Sequence, residues 1–434
     1  MTKDNKFYGW AMVVVLFIVY FLIGGMGIYG PSTANGVMLK ETGMSRSFYG
    51  WAFLAYSLVQ GLVAPFVAKL INSKGIKASL LVGSGLLALT GLLLGTVADA
   101  ATAPWAFAAV FGVIAGASIG FGGPVPAQTG VNLWFNKKRA LAMSIVMSAS
   151  GVGGFVVAPL MAKVAAMSGG HYKPIWLMVM GTSLFAMLIT ALFVKNKPED
   201  LGQIPDGKAI DNSGNVKVSR VYKATVAMEP AKALRHPKKW LITAALVGCF
   251  FPYMFLIAHS MPHMLDRGFT TATAAMVLGL MPFCSVFGRL AAGAVGDYVE
   301  PRYIWLVGTI SMIIGFYSLM IATTYTHLVI YAVLIGFGWG VGFVCMPTLY
   351  GNYFGGSTFP SVMALVFPIM QITGSISPLV AGKVFDATGS YNLAFYIGFV
   401  FLALAIAALL LATPPNSDSK LKSELGNVLP PNLK

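Results

Sequence analysis

The sequence predicts an all-α polytopic membrane protein, with twelve transmembrane helices in two pseudo-symmetric six-helix bundles. Three observations carry this. Of 434 residues, 57% are hydrophobic and only 10% charged, with mean hydropathy +0.77, whereas an ordinary soluble domain carries about 25% charged residues. The apolar stretches fall into two sets of six. The halves also repeat one another. A chain this apolar cannot cover a soluble surface, and its 12% aromatic content excludes a solvated, disordered polymer.

The first set of stretches runs over about 8–39, 46–71, 76–98, 103–133, 138–168 and 174–195. The second covers about 239–265, 271–298, 302–322, 327–354, 359–387 and 391–412. Each is bounded by charge or turn residues and is long enough for a helical span of about 20 residues. Lipid offers no partner to backbone groups, so the spans are helices. Domain boundaries follow: a bundle at 1–195, a polar, basic linker at 196–238, a second bundle at 239–412 and a short polar tail at 413–434. The linker lacks the apolar periodicity needed for a core of its own. The basic start, Met1 to Lys6, runs into an apolar segment with no small-residue cleavage site, which reads as an uncleaved first helix.

Net charge is +15, from 29 Lys and Arg against 14 Asp and Glu. Position explains it better than nucleic acid does. Twenty-two of the cations lie at the N-terminus, in the even-to-odd connections, in the linker and in the tail. Only Lys40, Arg46, Lys163, Lys173, Arg267 and Lys383 lie on the other side. The asymmetry predicts cytoplasmic termini and linker in a cell membrane, plasma or inner. One cation, Arg289, belongs to neither side.

Shifting the chain by 220 residues aligns Val113, Gly116, Gly120, Gly122 and Asn132 with Val333, Gly336, Gly340, Gly342 and Asn352. The same register aligns Met143, Gly154, Lys163 and Gly169 with Met363, Gly374, Lys383 and Gly389. Spans four and five thus resemble spans ten and eleven, the pattern of a two-bundle transporter.

Four local matches make the chain similar to the major facilitator superfamily, in the branch of monocarboxylate porters and oxalate–formate exchangers. Phe7-Tyr8-Gly9-Trp10 resembles the branch's aromatic entry to the first span, and Ala64-Pro65 through Asn72-Ser73-Lys74-Gly75-Ile76-Lys77 its loop between spans two and three. Trp134-Phe135-Asn136-Lys137-Lys138-Arg139-Ala140-Leu141-Ala142 resembles the motif that opens span five. Gly288-Arg289, followed by Gly293 and Gly296-Asp297, resembles the span-eight segment that carries a substrate arginine. The resemblance covers about 1–412 and implies the major facilitator fold and carboxylate transport. It also places Ile28 and Ile145 among apolar cavity residues. The chain departs from animal members at Ser285, where they have an Asp one turn before the arginine. It departs again at Ile28 and Tyr29, where they have a Lys in the first span. The familiar Lys–Asp proton relay is therefore missing.

Arg289 stands eight residues before Asp297, about 12 Å along a helix. A cation at that depth marks a binding site or pathway by default, and guanidinium matches a carboxylate bidentately. No acidic residue lies clearly within another span, which leaves a structural ion pair without a partner. In a 225-residue shift of span eight onto span two, the equivalent residue is Ala64. Tyr29, Gln128, Tyr253, Trp339, Phe367 and Gln371 are polar or aromatic groups at mid-depth in spans expected to face a central cavity; ordinary packing is their bland alternative. His259 reads equally as a cavity group or as a satisfied histidine near the outer face. His259 and His263 are one turn apart with no third metal ligand.

Lys137, Arg139, Asp297 and Arg302 sit at cytoplasmic helix ends. A carboxylate at a helix C-terminus opposes the dipole unless neutralised, so these residues are expected to form gating ion pairs between halves or with a loop. Gly25-Met26-Gly27-Ile28-Tyr29-Gly30 fits a dinucleotide pattern but follows an apolar helix rather than a strand. Cys249, Cys284 and Cys345 are isolated. No catalytic set, metal motif or cofactor motif is present in the sequence, which argues against an enzyme. The absence of a sizeable soluble domain argues against a receptor. The expected function is secondary transport of a small monocarboxylate such as lactate or pyruvate, proton-coupled, by a monomer. Oxalate–formate-type exchange is the alternative, and a single intramembrane cation favours one negative charge.

Overall fold

The computed structural model describes residues 7–44, 46–97, 100, 102–207, 221–224 and 226–415. The first half holds six membrane helices. Helix α1 covers 9–42 as Gly9–Gly24, a π turn at Gly25–Tyr29 and Gly30–Thr42. Helical residues then run on through Phe48–Val97, 50 residues, which would be about 75 Å long as one helix against a hydrocarbon core of about 30 Å. The chain folds back at Gly75, whose φ of +84° only glycine adopts readily. A Cβ there would also stand 2.2 Å from Asn196. Gly75 thus divides α2 (46–74) from α3 (76–97). The helices α4 (Pro104–Trp134), α5 (Arg139–Met167) and α6 (Lys173–Phe193) complete the half.

The second half consists of α7 (Pro237–Asp266), α8 (Thr271–Val295), α9 (Pro301–Met320), α10 (Tyr325–Phe354), α11 (Phe359–Thr388) and α12 (Asn392–Leu411). Proline in the first turn opens α7, α9 and α11, where its missing N–H costs nothing. Among the described residues eleven apolar stretches can cross a membrane, and the fold at Gly75 makes the count twelve.

The repeated glycines bring equivalent helix pairs together. On α4, Gly116 packs against the backbone of Tyr56 and Gly120 against that of Gln60, both in α2. On α10, their mates Gly336 and Gly340 pack against the backbone of Met281 and Ser285 in α8. Those α2 and α8 partners are themselves 225 residues apart. A Cβ at Gly340 would stand 2.1 Å from the Ser285 carbonyl oxygen, so larger side chains would force the helices apart.

Candidate functional site

A small cavity lies in the second half where it meets the first, lined by Gln128 of α4, Cys249 of α7, Trp339 and Phe343 of α10, and Phe367 and Met370 of α11. Its walls are almost wholly apolar, and Gln128 brings the one side-chain amide among the lining residues. That amide also donates to the Met147 Sδ of α5 at 3.4 Å. Tyr253 stacks face to face on Trp339, ring centres 4.2 Å apart, and so supports the wall from behind.

Arg289 lies just outside this wall, 2% exposed. Its Nη1 donates to the Met147 carbonyl of α5 and, at 3.0 Å, to Ser150 Oγ. The guanidinium carbon sits 4.8 Å from the centre of the Phe343 ring, which faces the cavity. The Nε is buried without a hydrogen-bond partner, and no ion pair joins Arg289 to a carboxylate among the described residues. The cation is therefore held by neutral groups, keeps unspent donor capacity and stands one ring away from the cavity. A buried, incompletely paired guanidinium is costly unless an anion completes it.

Gln128, Trp339 and Phe367 line the cavity as the sequence predicts. Others lie elsewhere. His259 is held between the Tyr391 hydroxyl at 3.1 Å and the Pro378 carbonyl at 2.9 Å, both of its nitrogens engaged among α7, α11 and α12. It is the satisfied histidine of the two readings, and His263 is likewise bound, to the Leu319 carbonyl at 3.1 Å. Ser285 donates to the Pro282 carbonyl of its own helix. Gln371 donates to the Ser57 carbonyl and to Gln60 Oε1 of α2, which places it in the contact between halves. Ile28 and Ile145 pack half-buried against the core. The Tyr29 side chain lies outside the described residues.

The halves meet closely at the face that carries the linker. Asp297, just past the end of α8, accepts the backbone N–H groups of Ala140 and Leu141, each at 3.1 Å, in the first turn of α5. The carboxylate thus serves the positive N-terminus of a helix in the other half, which answers the unfavourable dipole of its own. Arg139 donates to Asn352 Oδ1 of α10 at 2.7 Å, and a Cβ at Gly351 would stand 2.0 Å from Asn132 Oδ1 of α4. The helix ends that carry the repeat-related asparagines Asn132 and Asn352 therefore approach each other across the midline.

At Asp297 the ion pair is with the linker loop, not with another of the four predicted gating residues. The cation within ion-pair distance of Asp297 is Lys223 of the linker, 3.7 Å away. Lys137 contributes backbone: its N–H donates to Asp206 and its carbonyl accepts from Lys223. Arg302 stays in the second half, on the Leu410 carbonyl and the Tyr303 hydroxyl. Burial raises the Asp297 and Glu300 carboxyls above the ordinary carboxylate range, against the pull of their N–H donors, and burial lowers the Lys223 amine.

Phe343, Ser150, Gln60 and Lys223 are functional candidates that sequence reasoning missed. The first three carry no charge and no motif, and Lys223 is one of ten basic residues in or beside the linker. Only the 225-residue register, which sets Gln60 opposite Ser285, could have drawn attention to one of them.

Two six-helix bundles with a cavity where they meet, flanked by one cation, define a membrane transporter of the two-bundle type. The chain belongs to the Major Facilitator Superfamily, whose family model matches residues 15–366 and 254–432. Monocarboxylate transporter 12-B of Danio rerio is 24% identical over 92% of this chain and 86% of its own, and monocarboxylate transporter 2 of Homo sapiens is 26% identical over 89% and 81%. Among solved structures, the transporter FucP in its outward conformation superposes with TM-score 0.71 at 14% identity, covering 93% of this chain and 99% of that one. The human organic anion transporter MFSD10 gives 0.70 at 15% identity, covering 92% and 99%. These two likenesses bear on the fold.

Proposed function

We propose that the protein moves small monocarboxylates across a cell membrane by alternating access, with Arg289 as the carboxylate ligand. The observation that carries this reading is the guanidinium itself: 2% exposed, held by neutral groups, its Nε unpartnered, one aromatic ring from an apolar cavity. An apolar cavity with one cation suits a lactate- or pyruvate-like anion, whose single charge and short apolar body match the wall. The names of the relatives support the same class. The substrate itself carries the proton in symport, since His259 is fully engaged away from the cavity and no carboxylate flanks Arg289 among the described residues.

In this reading the termini and linker are cytoplasmic, so the face closed by Asp297 and Arg139 is the inner one, in a plasma or inner membrane, and the working unit is a monomer. For the carboxylate to reach Arg289, Phe343 turns aside or the Met147 contact loosens. Either motion couples occupancy to the α5–α8 contact between halves.

The test is uptake of labelled lactate, pyruvate, formate and oxalate into proteoliposomes, with and without a pH gradient. Gradient-stimulated uptake of a monocarboxylate is expected, with Arg289→Ala losing about ten- to a hundredfold, the scale of a charged hydrogen bond. Full carboxylate uptake by Arg289→Ala would remove the arginine from the mechanism. Oxalate–formate exchange indifferent to the gradient would establish the antiport alternative instead.

A further inference from the structure

We infer that Lys223 of the linker is a gating residue: it closes the linker face by joining three helix corners from both halves. Its Nζ donates to the carbonyls of Asn136 at 2.6 Å and Lys137 at 2.7 Å, the turn between α4 and α5. The same amine stands 3.7 Å from Asp297, the turn between α8 and α9. Its neighbours fasten it to the third corner: the Ala224 N–H donates to the Asn352 carbonyl at 2.7 Å and the Met228 N–H to the Phe354 carbonyl at 2.8 Å, both at the end of α10. The Tyr222 N–H donates to Glu300 Oε2 at 3.1 Å.

The side chains of Lys223 and Asp297 are 14% and 10% exposed, too buried for an idle surface pair. The α4–α5 turn and the Asp297 turn belong to opposite halves, so these bonds cannot survive separation of the halves at this face. Asp297 also accepts Ala140 and Leu141, and without the Lys223 ammonium its charge would stand buried with only backbone donors within bonding reach. Loss of Lys223 thus costs the closed state and leaves the open one, where Asp297 meets water, unaffected. The linker acts as a third gate component rather than a tether.

This rests on the alternating-access reading but not on the substrate, and the experiment keeps the two apart. Cys249 lines the cavity and is 2% exposed. In a Cys284→Ser, Cys345→Ser background, vesicles displaying the linker face outward are treated with a membrane-impermeant maleimide, and the labelling rate of Cys249 reports opening at that face. Lys223→Ala and Lys223→Gln are expected to label about tenfold faster, the factor that a hydrogen bond to a charged group supplies, and Lys223→Arg at close to the native rate. Lys223→Gln keeps a donor for the Asn136 and Lys137 carbonyls and guards against simple misfolding, which size-exclusion chromatography checks. Native-rate labelling in both neutral variants would overturn the proposal. Faster labelling in a chain that moves no carboxylate would refute the substrate and uphold the gate.

Discussion

The two contacts that join the halves along their length are equivalent by the internal repeat and opposite in chemistry. In the α8–α5 contact, Arg289 reaches Met147 and Ser150 across the seam, and Asp297 caps the first turn of α5. In the α2–α11 contact, Ala64 stands where Arg289 would be, and Asn72 stands where Asp297 would be, donating to Ser361 at 3.0 Å. Ser361 is the mate of Leu141, and Gln371, mate of Gly151, crosses to Gln60, mate of Ser285. One seam is charged at both levels while the other is neutral at both. The backbone symmetry was kept and the charge symmetry broken. In the proposed mechanism, the neutral seam would let the halves roll with little electrostatic cost and the charged seam would sense the anion.

Moving the charge to the wrong seam is the harshest way to break this comparison. Ala64 is 2% exposed, and Ala64→Arg would bury a cation with no acidic partner, at about 2.5–3.5 kcal/mol by insertion scales. Loss of folded, monodisperse protein is expected; a well-folded variant would show that the neutral seam tolerates charge.

A milder cut probes the neutral seam alone. Gln371→Ala removes the bonds to Ser57 and Gln60, at about 0.6–1.7 kcal/mol for hydrogen bonds between membrane helices, read as a lowered Tm. Gln60→Ala combined with it should add little, because the pair fails once. Strict additivity would mean that the two amides act separately.

The smallest effect expected is that of pH on the charged seam. Closure raises the Asp297 and Glu300 carboxyls through burial, so the closed face binds protons more tightly than the open one, and falling pH favours closure. The lowered Lys223 amine acts oppositely in proton affinity, but its titration lies at alkaline pH. Arg139, Lys223 and Asp206 are charged groups around this turn, and Arg302 acts on Glu300. Labelling of Cys249 from the linker face, normalised to the unfolded chain, should slow as pH falls from about 7 to about 5, and Asp297→Asn should flatten the profile. Faster labelling in acid would reverse the assigned sign.

Much of this was legible without coordinates. The spans, the repeat and the isolation of Arg289 follow from which residues water or lipid tolerates, a property each stretch of chain carries alone. The cavity positions of Gln128, Trp339 and Phe367 follow from the expected inward faces of α4, α10 and α11. Gln371 looked like a cavity group because it is polar at mid-depth, and His259 read equally as a cavity group or a satisfied histidine. They proved to be satisfied between helices, since the rotation of a helix about its axis is set by its neighbours.

What the sequence determined by itself is the membrane fold, the two-fold repeat and the single intramembrane cation, all consequences of hydropathy and spacing. What only the tertiary structure decided is who meets whom: Phe343 over Arg289, Asp297 on the first turn of α5, and Lys223 across the closed face. Those pairings join residues as much as 157 positions apart. No local pattern encodes them, because they exist only once two helix ends and a linker arrive at the same place.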